Sequence, residues 1–222
     1  MATAKKTTKD KKVIDEDVII SLYMESILIG DEEPKTVYGF CNKNNIQESD
    51  FYTFFGSLDG LKQEIWSKFL ENTISTLQKE IAFATYSPKN KLLTFYFTLF
   101  EVLTLNRSYV LYALKDNKEG LRNLLQLQNF RILFIDYVKN NIATEEFESS
   151  KLTKITKPIY SEGAWIQFLL ILKFWIEDQS KGFEKTDIII EKSVNTVVDL
   201  LDSKPIENII DLGKFLWKER KI

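Results

Sequence analysis

The stretch TVYGFCNKNNIQESDFYTFFGSLDGL, residues 36–61, decides the fold of this chain. Thr36 stands at a capping position for a short helix predicted over residues 35–43, whose apolar side chains share one stripe. Residues 42–45 (NKNN) follow, and asparagine tolerates the left-handed backbone conformation that a tight interhelix turn needs. A further short helix is predicted over residues 47–54. Two short helices joined this tightly predict a helix-turn-helix unit.

Helical spacing continues on both sides of this unit. A first helix is predicted over residues 13–29, with Gly30 placed as its C-terminal cap, and a long amphipathic helix over residues 58–83 leads into the rest of the chain. Sustained strand alternation is absent, so the fold class is all-α. Further helices are predicted over residues 89–103, 107–115, 119–140, 160–179, 186–202 and 206–218.

The residues of this unit resemble the helix-turn-helix motif of the TetR family without a gap. The matching positions are Thr36-Val37, Phe40-Cys41, Asn45-Ile46-Gln47, Phe51-Tyr52-Thr53-Phe54-Phe55, Ser57 and Leu61. The resemblance implies a TetR-like all-α fold with a flexible basic arm (1–12), a three-helix helix-turn-helix domain (13–62) and a helical ligand-binding and dimerisation domain (63–222). It also implies a ligand-responsive, dimeric DNA-binding transcriptional regulator of the cytoplasm.

The same resemblance implies a set of DNA contacts. Tyrosine and threonine hydroxyls are ordinary phosphate donors, glutamine can pair with adenine, and a carboxylate can accept from the amino group of cytosine. The implied phosphate contacts are Lys5 and Lys6 of the arm, Thr36 and Tyr52, and the implied base contacts are Gln47, Glu48 and Asp50.

Local charge keeps a second function open. Residues 13–62 contain three lysines, no arginine and ten acidic residues, a net charge of −7, and Leu58 stands where the family has a lysine. Phosphate neutralisation supplies most non-specific DNA affinity. Residues 175–186 are also similar to a segment of the lipid-binding TetR-like proteins of ubiquinone biosynthesis, with Thr186 as a helix N-cap. The alternative is therefore a TetR-fold protein that binds an apolar ligand, has lost operator binding and serves a partner enzyme.

Composition excludes most enzyme classes. The chain has no histidine and one cysteine, Cys41, so histidine-based catalysis, a Cys-His nucleophile, a disulfide and a thiolate metal cluster are all excluded. We expect neither enzymatic activity nor a metal or cofactor. The most apolar window, residues 165–176, is interrupted by Gln167 and Lys173, so no membrane insertion is expected.

Two apolar segments, residues 92–103 and 164–176, must be buried on several faces. Their aromatic side chains predict either a bundle core or a pocket for an apolar molecule, and the sequence does not separate the two. The candidate lining residues are Phe95, Phe97, Phe100, Tyr109, Phe130, Phe134, Trp165 and Phe168. The helix over residues 186–202 has more apolar surface than one face can bury, which favours a homodimer.

Overall fold

The structure is a computed structural model that describes residues 14–29, 33–115, 120–143 and 153–201. Within these ranges it contains α-helices, shorter helical turns and no strand, in agreement with the predicted all-α class. The helices are α1 (Glu16–Ile29), α2 (Val37–Lys43), α3 (Glu48–Phe54), α4 (Leu58–Lys79), α5 (Pro88–Leu105), α6 (Arg107–Lys115), α7 (Gln128–Tyr137), α8 (Thr153–Glu177) and α9 (Glu184–Leu201).

Helices α1 to α3 pack around a chain of buried aromatic rings. The ring centroids of Tyr23 in α1 and Phe40 in α2 are 5.8 Å apart, and those of Phe40 and Phe51 in α3 are 6.0 Å apart, both in edge-to-face geometry. Phe51 in turn contacts Phe55 at 5.6 Å. Such pairs contribute roughly 0.5–1.5 kcal/mol each beyond the burial of their area. The ring chain therefore fixes α3 against the other two helices.

The turn between α2 and α3 is a Schellman motif. Asn45 has a φ of 54°, so it occupies the left-handed region that the sequence predicted for this asparagine run. The amide of Ile46 donates to the carbonyl of Cys41 at 3.0 Å, and the amide of Asn45 donates to that of Asn42 at 3.4 Å. These bonds satisfy the last carbonyls of α2 and direct the chain sharply into α3.

Helix α4 connects this module to the rest of the protein. Its N-terminal half buries Leu61, Ile65 and Trp66. The indole N–H of Trp66 donates to the side chain of Gln126 at 3.0 Å, and its ring lies 5.9 Å from that of Phe130 in α7. Helices α5 and α7 pack along the rest of α4, with α8 and α9 outside them. The long bridging helix was predicted, although it ends at Lys79 rather than at residue 83.

Three predicted helices differ from those observed. Residues 119–140 form a 3₁₀ segment (Gly120–Leu127), α7 and a π turn (Val138–Ile142) instead of one helix. Helix α8 begins at Thr153 rather than at residue 160 and includes Pro158 in its second turn. Thr186 is not an N-cap, because α9 already begins at Glu184. The predicted arm, Gly30 and the helix over residues 206–218 lie outside the described residues.

Candidate nucleic-acid interface

Helix α3 buries one face and presents the other to solvent. Phe51 points inward, and an α-helix turns by about 100° per residue, so side chains two positions away lie on the opposite side. Ser49 and Thr53 are accordingly exposed, and so is Tyr52 next to them. The outward face of α3 thus carries three hydroxyl groups, and hydroxyls are among the side-chain donors to phosphate. The hydroxyl of Thr53 donates to the carbonyl of Ser49 at 2.9 Å.

The structure separates the sequence-predicted DNA contacts into two groups. Gln47, which immediately precedes α3, and Tyr52 are exposed, whereas Glu48 and Asp50 are half-buried on its flanks. Thr36 is exposed but its hydroxyl oxygen accepts from the amide of Gly39 at 3.0 Å, so it caps α2 as predicted. Lys5 and Lys6 lie outside the described residues.

Sequence matching missed Ser49, Thr53 and Tyr38, the last of which is 66% exposed on α2. The signal for Ser49 and Thr53 was present in the sequence, because both lie two residues from the buried Phe51. Counting the helical period of α3 from that residue would have found them.

Most of the acidic residues near α1 and α4 have structural partners. Lys68 of α4 pairs with Glu16 at 2.6 Å and with Asp17 at 3.5 Å. Lys62 pairs with Glu33 at 2.5 Å and with Asp59 at 3.4 Å. The count of −7 over residues 13–62 omitted Lys68, which neutralises charge there from just outside the segment. The same stretch of α4 also adds Glu64 and Glu71, which lie close enough to Glu16 and Lys68 to interact with them, so the module stays negatively charged.

Helix α3 itself keeps its acidic character. Its seven residues include Glu48 and Asp50 and no lysine or arginine. In the part of the chain that the structure describes, neither carboxylate forms an ion pair. A DNA backbone near α3 would meet these two charges, and its neutralisation has to come from other parts of the protein.

Seven of the eight candidate ligand-binding side chains are brought together in the interior. Phe130, Phe134, Trp165 and Phe168 contact one another with centroids 5.1–6.0 Å apart. Phe95 adds to this cluster through Phe134, and Phe100 through Phe168. Tyr109 is buried beside Phe69 of α4, at 6.3 Å. We call the six residues Phe95, Phe100, Phe130, Phe134, Trp165 and Phe168 the aromatic core.

Phe97 is not part of the aromatic core. It is 39% exposed, whereas Phe95 and Phe100 on the same helix are buried. Two residues correspond to about 200° of helix rotation, so Phe97 points away from the face that Phe95 occupies. Its placement with the other candidate lining residues was wrong for this geometric reason.

A polar network crosses the larger helical domain that contains the aromatic core. The buried hydroxyl of Tyr96 donates to the carbonyl of Ala164 at 2.7 Å and lies 3.3 Å from the side-chain oxygen of Gln167. The amide of Gln167 then donates to the hydroxyl of Ser193 at 2.8 Å. These bonds connect α5, α8 and α9 and satisfy polar groups that would otherwise be costly to bury. Burial also raises the pKa of Tyr96 well above its ordinary value, so this phenol stays neutral.

The corner between α8 and α9 is built around one carboxylate. Asp178 is buried, and one of its oxygens accepts from the amide and hydroxyl of Ser180 at 2.8 and 2.7 Å. The other oxygen accepts from the amide and hydroxyl of Thr186 at 3.0 and 2.7 Å. Burial alone would raise the pKa of Asp178, but these hydrogen bonds lower it to about 2. Gly182 completes the corner with a φ of 64°, a conformation that glycine adopts without strain.

Arg107, the first residue of α6, closes the end of α8. Its guanidinium donates to the carbonyls of Trp175 at 2.9 Å, Ile176 at 3.2 Å and Asp178 at 3.2 Å. It also lies between two rings, 4.3 Å from the centroid of Trp175 and 4.4 Å from that of Phe183. A cation at a helix C-terminus satisfies its free carbonyls and interacts favourably with the helix dipole.

Helix α8 presents an apolar stripe to solvent. Ile159, Ile166 and Leu170 are 48%, 59% and 65% exposed, and the spacing of 7 and 4 residues places them on one side of the helix. Gly163 lies within the stripe, and a Cβ added there would meet no atom within 4 Å. We call these four residues the α8 stripe. Helix α9 buries Ile190 and Val194 within the same chain and leaves Ile188 49% exposed.

The segment Lys157–Glu177 of α8 is long and apolar enough to cross a membrane by length and composition. Half of it is buried against the other helices, as in the core helix of a folded domain. Within the described ranges, no group of three or more cysteine, aspartate or glutamate residues is arranged to hold a metal ion.

The described architecture, a helix-turn-helix module joined by one long helix to a larger helical domain, is typical of helical regulators. Residues 91–216 match the family model described as "Tetracyclin repressor-like, C-terminal domain". A search of curated proteins found no match. Because the matched range covers more than half of the chain, the protein belongs to the TetR family, whose members are generally regulators and not enzymes.

Proposed function

We propose that this protein is a ligand-responsive, dimeric transcriptional regulator that binds an operator through α2 and α3. The observation that carries the proposal is the geometry of the helix-turn-helix. The Schellman turn and the buried ring of Phe51 hold α3 so that Ser49, Tyr52 and Thr53 face outward together. A short, rigidly held helix with an outward polar face is what major-groove recognition requires.

The second half of the proposal is a homodimer that uses the α8 stripe. Exposed isoleucine and leucine side chains in one row favour burial against another apolar surface. A second copy supplies the same stripe in an isologous pair, and Gly163 allows the two α8 helices to approach closely at its centre. Two copies would place two α3 helices against two half-sites.

The third part is the ligand, which we propose to be an apolar molecule bound among the rings of the aromatic core. Those rings are in direct contact, so a ligand has to separate them, and their displacement would move α7 and α8 relative to α5. A ligand that binds only the displaced arrangement shifts the protein toward it. The consequence for operator binding would be a change in the spacing of the two α3 helices.

The test is fluorescence anisotropy of the purified protein with its own upstream DNA, titrated with salt. We expect tight, sequence-specific binding that weakens steeply as salt rises. Tyr52→Phe should weaken operator binding about five- to tenfold, since one phosphate hydrogen bond contributes roughly 1–1.5 kcal/mol. Tyr86→Phe is the matched control, because its hydroxyl binds Glu80 at 2.6 Å outside the module. Deletion of residues 1–12 tests the basic arm in the same assay.

A second candidate is favoured by the acidic composition of α3. Glu48 and Asp50, which form no ion pair within the described ranges, repel phosphate, and this fits a TetR-fold protein that has lost its operator and presents an apolar ligand to a partner enzyme. Absence of sequence-specific DNA binding at low salt, together with a co-purified lipid in native mass spectrometry, would support this candidate against the regulator.

A further inference from the structure

Helix α6 is a short helix with contacts on two opposite sides. Arg107 is its first residue and Tyr109 its third, so their side chains project about 200° apart around the helix axis. Arg107 reaches the end of α8, whereas Tyr109 is buried on the side of α6 that packs toward α1 and α4. One nine-residue helix therefore contacts both the helix-turn-helix module and the corner between α8 and α9.

The Arg107 contact is specific for a guanidinium. Its planar fork donates to three backbone carbonyls and is stacked between the rings of Trp175 and Phe183. A lysine ammonium is a compact point charge and cannot reproduce the fork or the stacking. The first turn of α6 is thus fixed to the last turn of α8, because Arg107 contacts Trp175, which lies 68 positions further along the sequence.

The Tyr109 side leads into the helix-turn-helix module. The ring centroids of Tyr109 and Phe69 of α4 are 6.3 Å apart. The pKa of Tyr23 in α1 is raised by burial, by Glu33 and, to a smaller extent, by the nearby Tyr109. The hydroxyl of Tyr23 donates to Glu33 at 3.1 Å, and Glu33 pairs with Lys62 of α4. Helix α6 therefore rests on a packed and hydrogen-bonded surface of the module.

We propose that Arg107 is a positioning residue that sets the orientation of the helix-turn-helix module relative to α8 and α9. Movement at the end of α8 passes through the guanidinium to α6 and from α6 to α1. In its consequence for DNA the inference rests on the proposed function, because α8 would hold the dimer interface and α3 the operator. In the free protein the inference predicts a change in the distance between α1 and α9, which can be measured without DNA or ligand.

The experiment measures that distance by pulsed electron paramagnetic resonance. Spin labels are attached at Glu25→Cys on α1 and Lys192→Cys on α9, both exposed, in a Cys41→Ala background. Labelled protein is mixed with excess unlabelled protein so that only distances within one chain are recorded. Arg107→Ala is compared with Thr186→Val, which removes a 2.7 Å hydrogen bond from the same corner without touching α6. Circular dichroism checks that each variant is folded, and Arg107→Lys is measured beside Arg107→Ala as a second, milder variant.

We expect Arg107→Ala and Arg107→Lys to shift or broaden the distance distribution by about 2 Å, the scale of helix shifts in switching proteins. Thr186→Val should leave the distribution unchanged. Operator affinity measured in parallel should fall about tenfold in the Arg107 variants, within the usual range of coupling between sites. An unchanged distribution in both Arg107 variants, or an equal change in Thr186→Val, overturns the inference. A shifted distance in a protein whose wild type binds no operator supports the inference and contradicts the proposed function.

Discussion

Replacing Asp178 with asparagine tests the corner between α8 and α9. The carboxylate accepts four hydrogen bonds, two on each oxygen, from Ser180 and Thr186. An asparagine keeps one acceptor oxygen but places an NH₂ group against the amide of the other partner, so up to two bonds are lost. Hydrogen bonds to a charged group contribute roughly 1.5–3 kcal/mol each, and we expect Asp178→Asn to lower the free energy of unfolding by about 2–4 kcal/mol at pH 7.

The same residue predicts the pH dependence of stability. The folded-state pKa of Asp178 is about 2, below the value of about 3.9 for an unfolded aspartate, so the unfolded chain binds the proton more readily. The contribution of the carboxylate is fully present above pH 4–5 and is lost as the pH falls through about 2. A difference of nearly 2 pKa units corresponds to about 2.5 kcal/mol. The loss of unfolding free energy caused by Asp178→Asn should therefore become smaller by this amount as the pH is lowered.

Urea unfolding followed by tryptophan fluorescence measures both effects, because the indole of Trp175 lies next to this corner. The matched control is Asp187→Asn. Asp187 is an exposed residue of α9, and partial burial of its carboxyl group together with the charge of Asp178 raises its pKa. Its neutralisation should cost little stability at pH 7. If Asp178→Asn unfolds at the wild-type urea concentration, or if its deficit is the same at every pH, the reasoning about this carboxylate is wrong.

Five further variants test three other parts of the structure. Phe134→Ala should cost about 3–5 kcal/mol because it opens a cavity in the aromatic core, whereas Phe97→Ala should cost below about 1 kcal/mol; equal losses in thermal unfolding would contradict the assigned burial. Asn45→Gly should leave stability nearly unchanged, and Asn45→Val should lose about 1–2 kcal/mol because a β-branched residue is strained at positive φ. If the protein forms the proposed dimer, Ile166→Lys should convert it to a monomer in light scattering, and a persistent dimer would place the interface elsewhere.

The sequence predicted the helix-turn-helix well because its signals are local. A threonine at the start of α2 and an asparagine at its end act within a few residues of themselves, so Thr36 and Asn45 could be placed without knowledge of the rest of the fold. The fold class followed from helical spacing for the same reason. The direction of Phe97 was also local information, since it lies two residues from Phe95.

Other features depend on residues far apart in the sequence. The hydroxyl of Thr186 was predicted to cap α9. It instead donates a hydrogen bond to Asp178, which precedes the helix in the sequence. Lys68 of α4 pairs with Glu16 of α1, and a charge count restricted to residues 13–62 does not include this lysine. The contact of Arg107 with Trp175 likewise forms only when α6 and α8 meet. Such pairings appear only after the helices have packed.

The distribution of the aromatic residues gives the protein two separate optical signals. Trp66, Trp165 and Trp175 all lie in the ring network of the larger domain, and helices α1 to α3 contain tyrosine and phenylalanine but no tryptophan. Excitation at the red edge of the indole band therefore reports on the larger domain, while circular dichroism reports on the helices of both domains. A gap between the two unfolding curves would mean that part of the helical structure is lost separately from the surroundings of these tryptophans.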